Sequence, residues 1–131
     1  MRSRSQKNAC MRESKLAKSD SRSMRSLTQY GWFKSDVAEK EKMYVDDNFC
    51  GHGIAKYLHS EPIISHTRNK NTTPIEEGMV FTVEPIITLF PHRQLYMWPD
   101  NFTITSVNNP SAQMEHMIVV HKNGPEILTK L

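Results

Sequence analysis

The sequence predicts one small domain of mostly antiparallel strands with one or two short helical turns, and three observations predict it. The chain has 131 residues, room for one domain and not comfortably for two. Short runs rich in β-branched and aromatic residues recur after residue 40, bounded by Gly, Pro, Asn and Asp, which is the pattern of strands and their turns. All 5 Gly, 7 Pro and 6 His follow residue 30, so the folded part and any chemistry belong to the later segment.

Residues 1–30 differ from the rest. They hold 8 Lys/Arg against 2 Asp/Glu, a local balance of +6, whereas residues 31–131 carry −3. Serine occurs 7 times in the first 30 residues and no apolar period persists there. Such a segment buries too little apolar surface to offset its ordering entropy, so a disordered basic arm is expected over 1–30. Two other readings stay open: an organelle transit peptide, since the arm is Arg- and Ser-rich and acid-poor, and a nucleic-acid-binding tail. No aromatic residue is interleaved with its basic ones, which argues against nucleic acid. The mean hydropathy of −0.59 and the absence of a long apolar run speak against a membrane-spanning helix. No apolar stretch near residue 1 has the character of a secretory signal. Cys10 and Cys50 are too few for a disulfide framework and point to a reducing compartment.

The elements follow in order. Asp36, with Glu39 three residues on, predicts a capped helix through Lys42. Residues 44–49, YVDDNF, predict a strand leading into a turn at Cys50-Gly51-His52-Gly53. Residues 79–84, MVFTVE, are a clear strand, and Pro85 holds Glu84 extended because its ring excludes the helical region for the preceding residue. Residues 86–90 continue extended, 102–106 and 112–120 are two further strands, and 126–129 form a last one after the turn at Asn123-Gly124-Pro125.

Three side chains stand out chemically. Glu84 ends an apolar strand and shares a face with Val80 and Thr82. Glu115 lies within the apolar run 112–120, on the face of Gln113, Met117 and Val119. A carboxylate there is costly to bury without a compensating cation. His52 sits between two glycines, free of neighbouring side chains. One His and two Glu form a hard, oxygen-rich donor set suited to Mn, Co, Fe or Zn. Each also has a plainer reading: His52 as a turn residue, and either Glu as a solvent-facing position on a half-buried sheet. His59, His66 and His116 read as surface or core residues, His92 and His121 as surface residues, and the cysteines as passive thiols.

Taken together, Cys50-Gly51-His52-Gly53-Ile54, His59-Ser60-Glu61-Pro62, Gly78 through Pro85, Trp98-Pro99-Asp100 and Ser111-Ala112-Gln113-Met114-Glu115-His116 resemble the type I methionine aminopeptidases in order and spacing. The resemblance covers residues 36–131. It implies an α+β fold, the C-terminal half of a pita-bread (creatinase/aminopeptidase-like) domain, mostly antiparallel with one or two short helices. It implies a metal-dependent hydrolase that removes the initiator Met from nascent polypeptide N-termini, with the ribosome as a further partner. No membrane or nucleic-acid partner is implied. The family holds two divalent ions. His52, Glu84 and Glu115 match metal ligands, and Glu84 also matches the carboxylate that takes the proton from the attacking water. His59 matches the imidazole that contacts the scissile peptide, and Leu58 and Trp98 match walls of the Met side-chain pocket.

Some positions depart from the pattern. The family draws two Asp ligands and a catalytic His from its N-terminal half, and residues 1–35 contain no counterpart. Ala55 stands where Gly is usual, Ser65 and Thr67 flank His66 where Pro and Tyr are usual, and Leu58 replaces a frequent aromatic residue. The sequence therefore reads as a partial catalytic domain that takes at most one metal alone. The alternatives are a non-catalytic remnant of the fold acting as a binding protein and a proline-specific peptidase of the same fold. The expected location is the cytoplasm, or an organelle if the basic arm acts as a transit peptide.

Overall fold

The structure, a computed structural model, describes Ser26, residues 35–91 and residues 94–130. The basic arm expected over 1–30 thus lies outside the described residues except for Ser26, which forms an isolated antiparallel bridge with Pro74.

Helix α1 covers residues 35–40 and ends sooner than the sequence predicts. Lys42 adopts φ 56°; its N–H bonds the Glu39 carbonyl and the Met43 N–H bonds the Ala38 carbonyl, both at 2.9 Å. This pair of bonds is a Schellman closure, which takes up the last free carbonyls and stops the helix. Ala38 within it and Met43 just beyond it pack with Ile87 in a small core. The expected capping box does not form either. Arg68 takes the Asp36 carboxylate at 2.6 Å and both carboxylate oxygens of Glu39, tying the helix to the loop at 66–70.

Ten strands follow among the described residues, all paired antiparallel. Strands β4 (Val80–Val83), β2 (Cys50–Gly53), β3 (Ser60–Ser65), β9 (His116–His121) and β10 (Gly124–Ile127) form a five-stranded sheet in the order β10-β9-β4-β2-β3. Strands β1 (Tyr44–Val45), β5 (Ile86–Thr88) and β8 (Ser111–Gln113) form a second sheet, and β6 (Leu95–Met97) pairs with β7 (Ile104–Ser106) in a separate hairpin. The main core packs Ile64, Phe81, Val83 and Ile118, flanked by Ile75, Met79, Val120 and Ile127.

Three sequence expectations change. Residues 50–53 are not a turn but strand β2, inserted between β3 and β4. The glycines serve close approach there: a Cβ on Gly51 would lie 2.3 Å from the Thr82 carbonyl oxygen, and one on Gly53 2.1 Å from that of Glu61. The expected strand 44–49 shortens to β1 because the Asp46 carboxylate accepts the Asn48 N–H at 2.9 Å and folds the chain over. The run 112–120 divides into β8 and β9, which belong to different sheets. The break matches Glu84-Pro85 on the neighbouring strand pair. Both sides of the gap keep one register, Val83 opposite His116 and Ile86 opposite Gln113, which sets Glu84 opposite Glu115.

Candidate metal-binding site

The site grows from one face of the five-stranded sheet. On β4, Phe81 and Val83 face the core, so Thr82 and Glu84 face the other way. Gly53 pairs with Phe81, which puts His52, one residue earlier, on the same face as Thr82. Ile63 pairs with His52 and joins that face.

Thr82 links the two candidate ligands. It is 1% exposed, and its hydroxyl oxygen accepts the His52 N–H at 2.9 Å while its proton goes to Glu84 Oε1 at 2.8 Å. The β2–β4 ladder therefore breaks at His52, where a side chain replaces a backbone carbonyl. The β2–β3 register also shifts between His52 and Gly53. Irregularities of this kind re-aim a side chain out of a sheet.

The His52 Nδ1 lies 3.1 Å from the Gly53 carbonyl oxygen. A carbonyl only accepts, so Nδ1 carries a proton, and in the neutral ring Nε2 is the nitrogen with the lone pair. That Nε2 lies 3.6 Å from Glu84 Oε1. The His52 ring also meets the His59 ring edge-on, with centroids 4.4 Å apart. Around them opens a pocket of about 500 Å³ lined by Cys50, His52, His59, Ser60, Glu61, Ile63 and Glu84. Local desolvation, and after it the charge of Glu84, push the Cys50 thiol above its usual range, so it faces the pocket as a neutral thiol.

The structure thus brings together His52, Glu84 and His59 of the residues singled out in the sequence. Glu115 lies opposite Glu84 in register but is exposed and outside the pocket lining. Leu58 and Trp98 are exposed, at 68% and 50%, and neither lines this pocket. Among the described residues no three His, Cys, Asp or Glu side chains gather closely enough to hold a metal ion. The donors that do meet fit one cation in part: a neutral imidazole nitrogen and a carboxylate, both open to the pocket, form two corners of a coordination sphere.

Sequence reasoning missed two residues. Thr82 stands out in the sequence only as a neighbour of Glu84 on the strand. His66, read as a surface or core residue, is 1% exposed, and its Nε2 accepts the Glu84 N–H at 3.2 Å. The signal for Thr82 was present: a polar residue two before Glu84, in a strand otherwise apolar.

The His–Glu pair thus stands on β2 and at the end of β4, in the five-stranded sheet. The profile of metallopeptidase family M24 matches residues 8–122, and the chain belongs to that family. The chain is 43% identical over 106 residues to methionine aminopeptidase 1B, chloroplastic, of Arabidopsis thaliana, covering 80% of this chain and 28% of the relative. It is 38% identical over 104 residues to the methionine aminopeptidase of Buchnera aphidicola subsp. Schizaphis graminum, covering 79% and 40%. The crystal structure of methionine aminopeptidase from Rickettsia prowazekii superposes with a TM-score of 0.78 at 32% identity, over 96% of this chain and 50% of that one. The fold is accordingly the α+β pita-bread arrangement. The chain spans well under half the length of these curated relatives and about half of the solved enzyme. Among the described residues no helix is long and apolar enough to cross a membrane. Relatives include proteins named as mitochondrial as well as chloroplastic.

Proposed function

We propose that this chain carries one side of the active centre of a methionine aminopeptidase, with His52 and Glu84 as ligands of a divalent ion and Glu115 completing the set. The observation that carries the reading is the His52–Glu84 pair: Nδ1 of His52 donates to the Gly53 carbonyl, and Nε2 sits 3.6 Å from a Glu84 carboxylate oxygen in the pocket. Mn, Co, Fe and Zn all suit these donors. A divalent ion held there supplies Lewis-acid polarisation of a peptide carbonyl and lowers the pKa of water.

The chain's own residues define the rest. Glu84 is the base: Thr82 holds one carboxylate oxygen, leaving the other free to take a proton at the pocket. His59, exposed beside His52, donates a hydrogen bond to the oxyanion that develops at the scissile carbonyl. The proposed substrate is the N-terminal Met of nascent chains, presented near the ribosome. Leu58 and Trp98 are the proposed contacts for its side chain. The cytoplasm is the proposed location, with an organelle as the alternative set by residues 1–30.

A second reading, a non-catalytic binding module, draws on the absence of a three-residue donor cluster among the described residues. One experiment separates the two. The purified chain is titrated with Co²⁺ and assayed for Met release from a Met-Ala-Ser peptide, alone and with the N-terminal half of a related methionine aminopeptidase. The enzyme reading predicts one bound ion at most and little or no release alone, with release appearing on complementation and lost in Glu84→Ala. No cobalt binding, and no activity in either mixture, favours the binding module. Robust turnover by the chain alone contradicts the incomplete-site reading.

A further inference from the structure

We infer that His66 is a positioning residue for the site, acting through the backbone of Glu84. The inference rests on the metal-site reading above and concerns a side chain outside the pocket lining.

Glu84 stands at a fault in the sheet. Strand β4 ends at Val83, Pro85 follows, and β5 starts at Ile86 in a different sheet. Pro85 has no N–H to donate. The Glu84 N–H therefore stands at the point where one ladder stops and the next has not begun. An unpaired buried N–H costs about 1–3 kcal/mol, so it needs a partner that neither sheet supplies. His66, directly after β3, provides that partner across the sheet at 3.2 Å.

The geometry makes this more than hydrogen-bond satisfaction. Accepting an N–H fixes the lone pair on Nε2 and so the proton on Nδ1. A buried ring at 1% exposure has little freedom to turn. Glu84 is thus gripped twice from different elements, its backbone by His66 and its carboxylate by Thr82 at 2.8 Å. With the backbone fixed, the carboxylate oxygen that Thr82 holds, Oε1, is kept 3.6 Å from His52 Nε2. Partners of this kind, behind a ligand, commonly change metal affinity 10–100-fold when removed. A merely structural histidine would change stability and leave that affinity alone.

The test uses the full chain and Zn²⁺ as probe. Calorimetric titration compares wild type with His66→Leu, which removes the acceptor, and His66→Gln, whose amide oxygen restores one. Ile64→Val serves as a core control that weakens packing without touching Glu84. The inference predicts about tenfold weaker Zn²⁺ binding in His66→Leu, recovery in His66→Gln, and no change in the control. Equal affinity in His66→Leu and wild type overturns it.

If His66→Leu does not fold, wild-type NMR decides. A through-hydrogen-bond coupling between the Glu84 amide nitrogen and His66 Nε2, together with a shift of that Nε2 resonance during the Zn²⁺ titration, supports the inference. Absence of the coupling overturns it, as does a His66 Nε2 that stays still while His52 shifts. A silent His52 overturns the metal-site reading itself, and this inference with it.

Discussion

Gly51 and Gly53 leave His52 as the sole side chain on the innermost part of β2, and the reason is contact distance. The Cβ of an alanine at 53 would sit 2.1 Å from the Glu61 carbonyl oxygen and 2.6 Å from its carbon. Both belong to backbone within a paired strand, which cannot yield cheaply. Gly53→Ala is expected to cost about 3 kcal/mol or more, read as a fall in the urea midpoint; an unchanged midpoint would mean that β2 and β3 are further apart. Thr82→Val probes the neighbouring link with almost no change of volume. It strands the His52 N–H and frees the Glu84 carboxylate, so a loss of about 1–3 kcal/mol is expected, with weaker divalent-ion binding beside it. Equal stability and equal binding would show that the hydroxyl is dispensable. At this scale the sequence was informative about identity and less so about surroundings. His52, His59 and Glu84 were legible from residue type and motif. The roles of Thr82 and His66 are not legible, because each lies in a hydrogen bond formed across 30 and 18 residues of chain, although a polar residue at 82 in an apolar strand is itself a signal.

Elements show where periodicity fails. The run 112–120 reads as one strand because its apolar character is continuous, yet Met114 and Glu115 fall between two sheets. The cause is on the partner strand: Pro85 interrupts β4–β5, and an antiparallel neighbour in the same register must break where it breaks. Strand β3 escaped prediction for a related reason, since Pro62 within Ser60–Ser65 demotes a strand assignment although the edge of a sheet tolerates it, and β3 is the edge. Helix α1 departs from expectation at both ends: Arg68, distant in sequence, takes the Asp36 and Glu39 carboxylates expected to cap its start, and the left-handed Lys42 closes its end early. That tether has a pH signature. Hydrogen bonds from Arg68, aided by its charge, hold the Glu39 carboxyl below the usual carboxylate range. A carboxyl depressed in the folded state contributes stability above its unfolded pKa and loses it as pH falls through the folded value. Arg68→Gln should therefore flatten the decline in melting temperature on the acid side of the ordinary Glu range and change little of its shape near neutrality. Identical acid-side profiles for the two proteins would show that the tether has no share in stability; its exposure makes the effect small.

Several large apolar side chains stand exposed among the described residues. The β6–β7 hairpin exposes Tyr96 at 58%, Met97 at 54%, Trp98 at 50% and Phe102 at 88%. Burying one such side chain is worth about 1.5–3 kcal/mol, against a net stability of about 5–15 kcal/mol for a domain. Exposed apolar side chains gathered on one hairpin favour association. The chain alone is expected to self-associate at micromolar concentration, and to become monodisperse when co-expressed with the N-terminal half of a related methionine aminopeptidase. A sharp monomer peak in analytical ultracentrifugation of the chain alone, unchanged by that partner, would contradict this. The overall architecture was legible because five motifs preserved their order, whereas the exposure of Trp98 and Leu58 was not, since motif matching carries no information about which surfaces meet.

The central claim is that His52 and Glu84 hold a divalent ion. Its most direct measurement is the anomalous difference map of a crystal of this chain soaked in Mn²⁺ and recorded near the manganese edge. The account predicts one peak per chain in the pocket between β2 and β4, about 2.0–2.2 Å from His52 Nε2 and from a Glu84 carboxylate oxygen, and no peak in His52→Ala. A peak that persists in His52→Ala, or one found only at exposed pairs such as His121–Glu126 with the pocket empty, would contradict it.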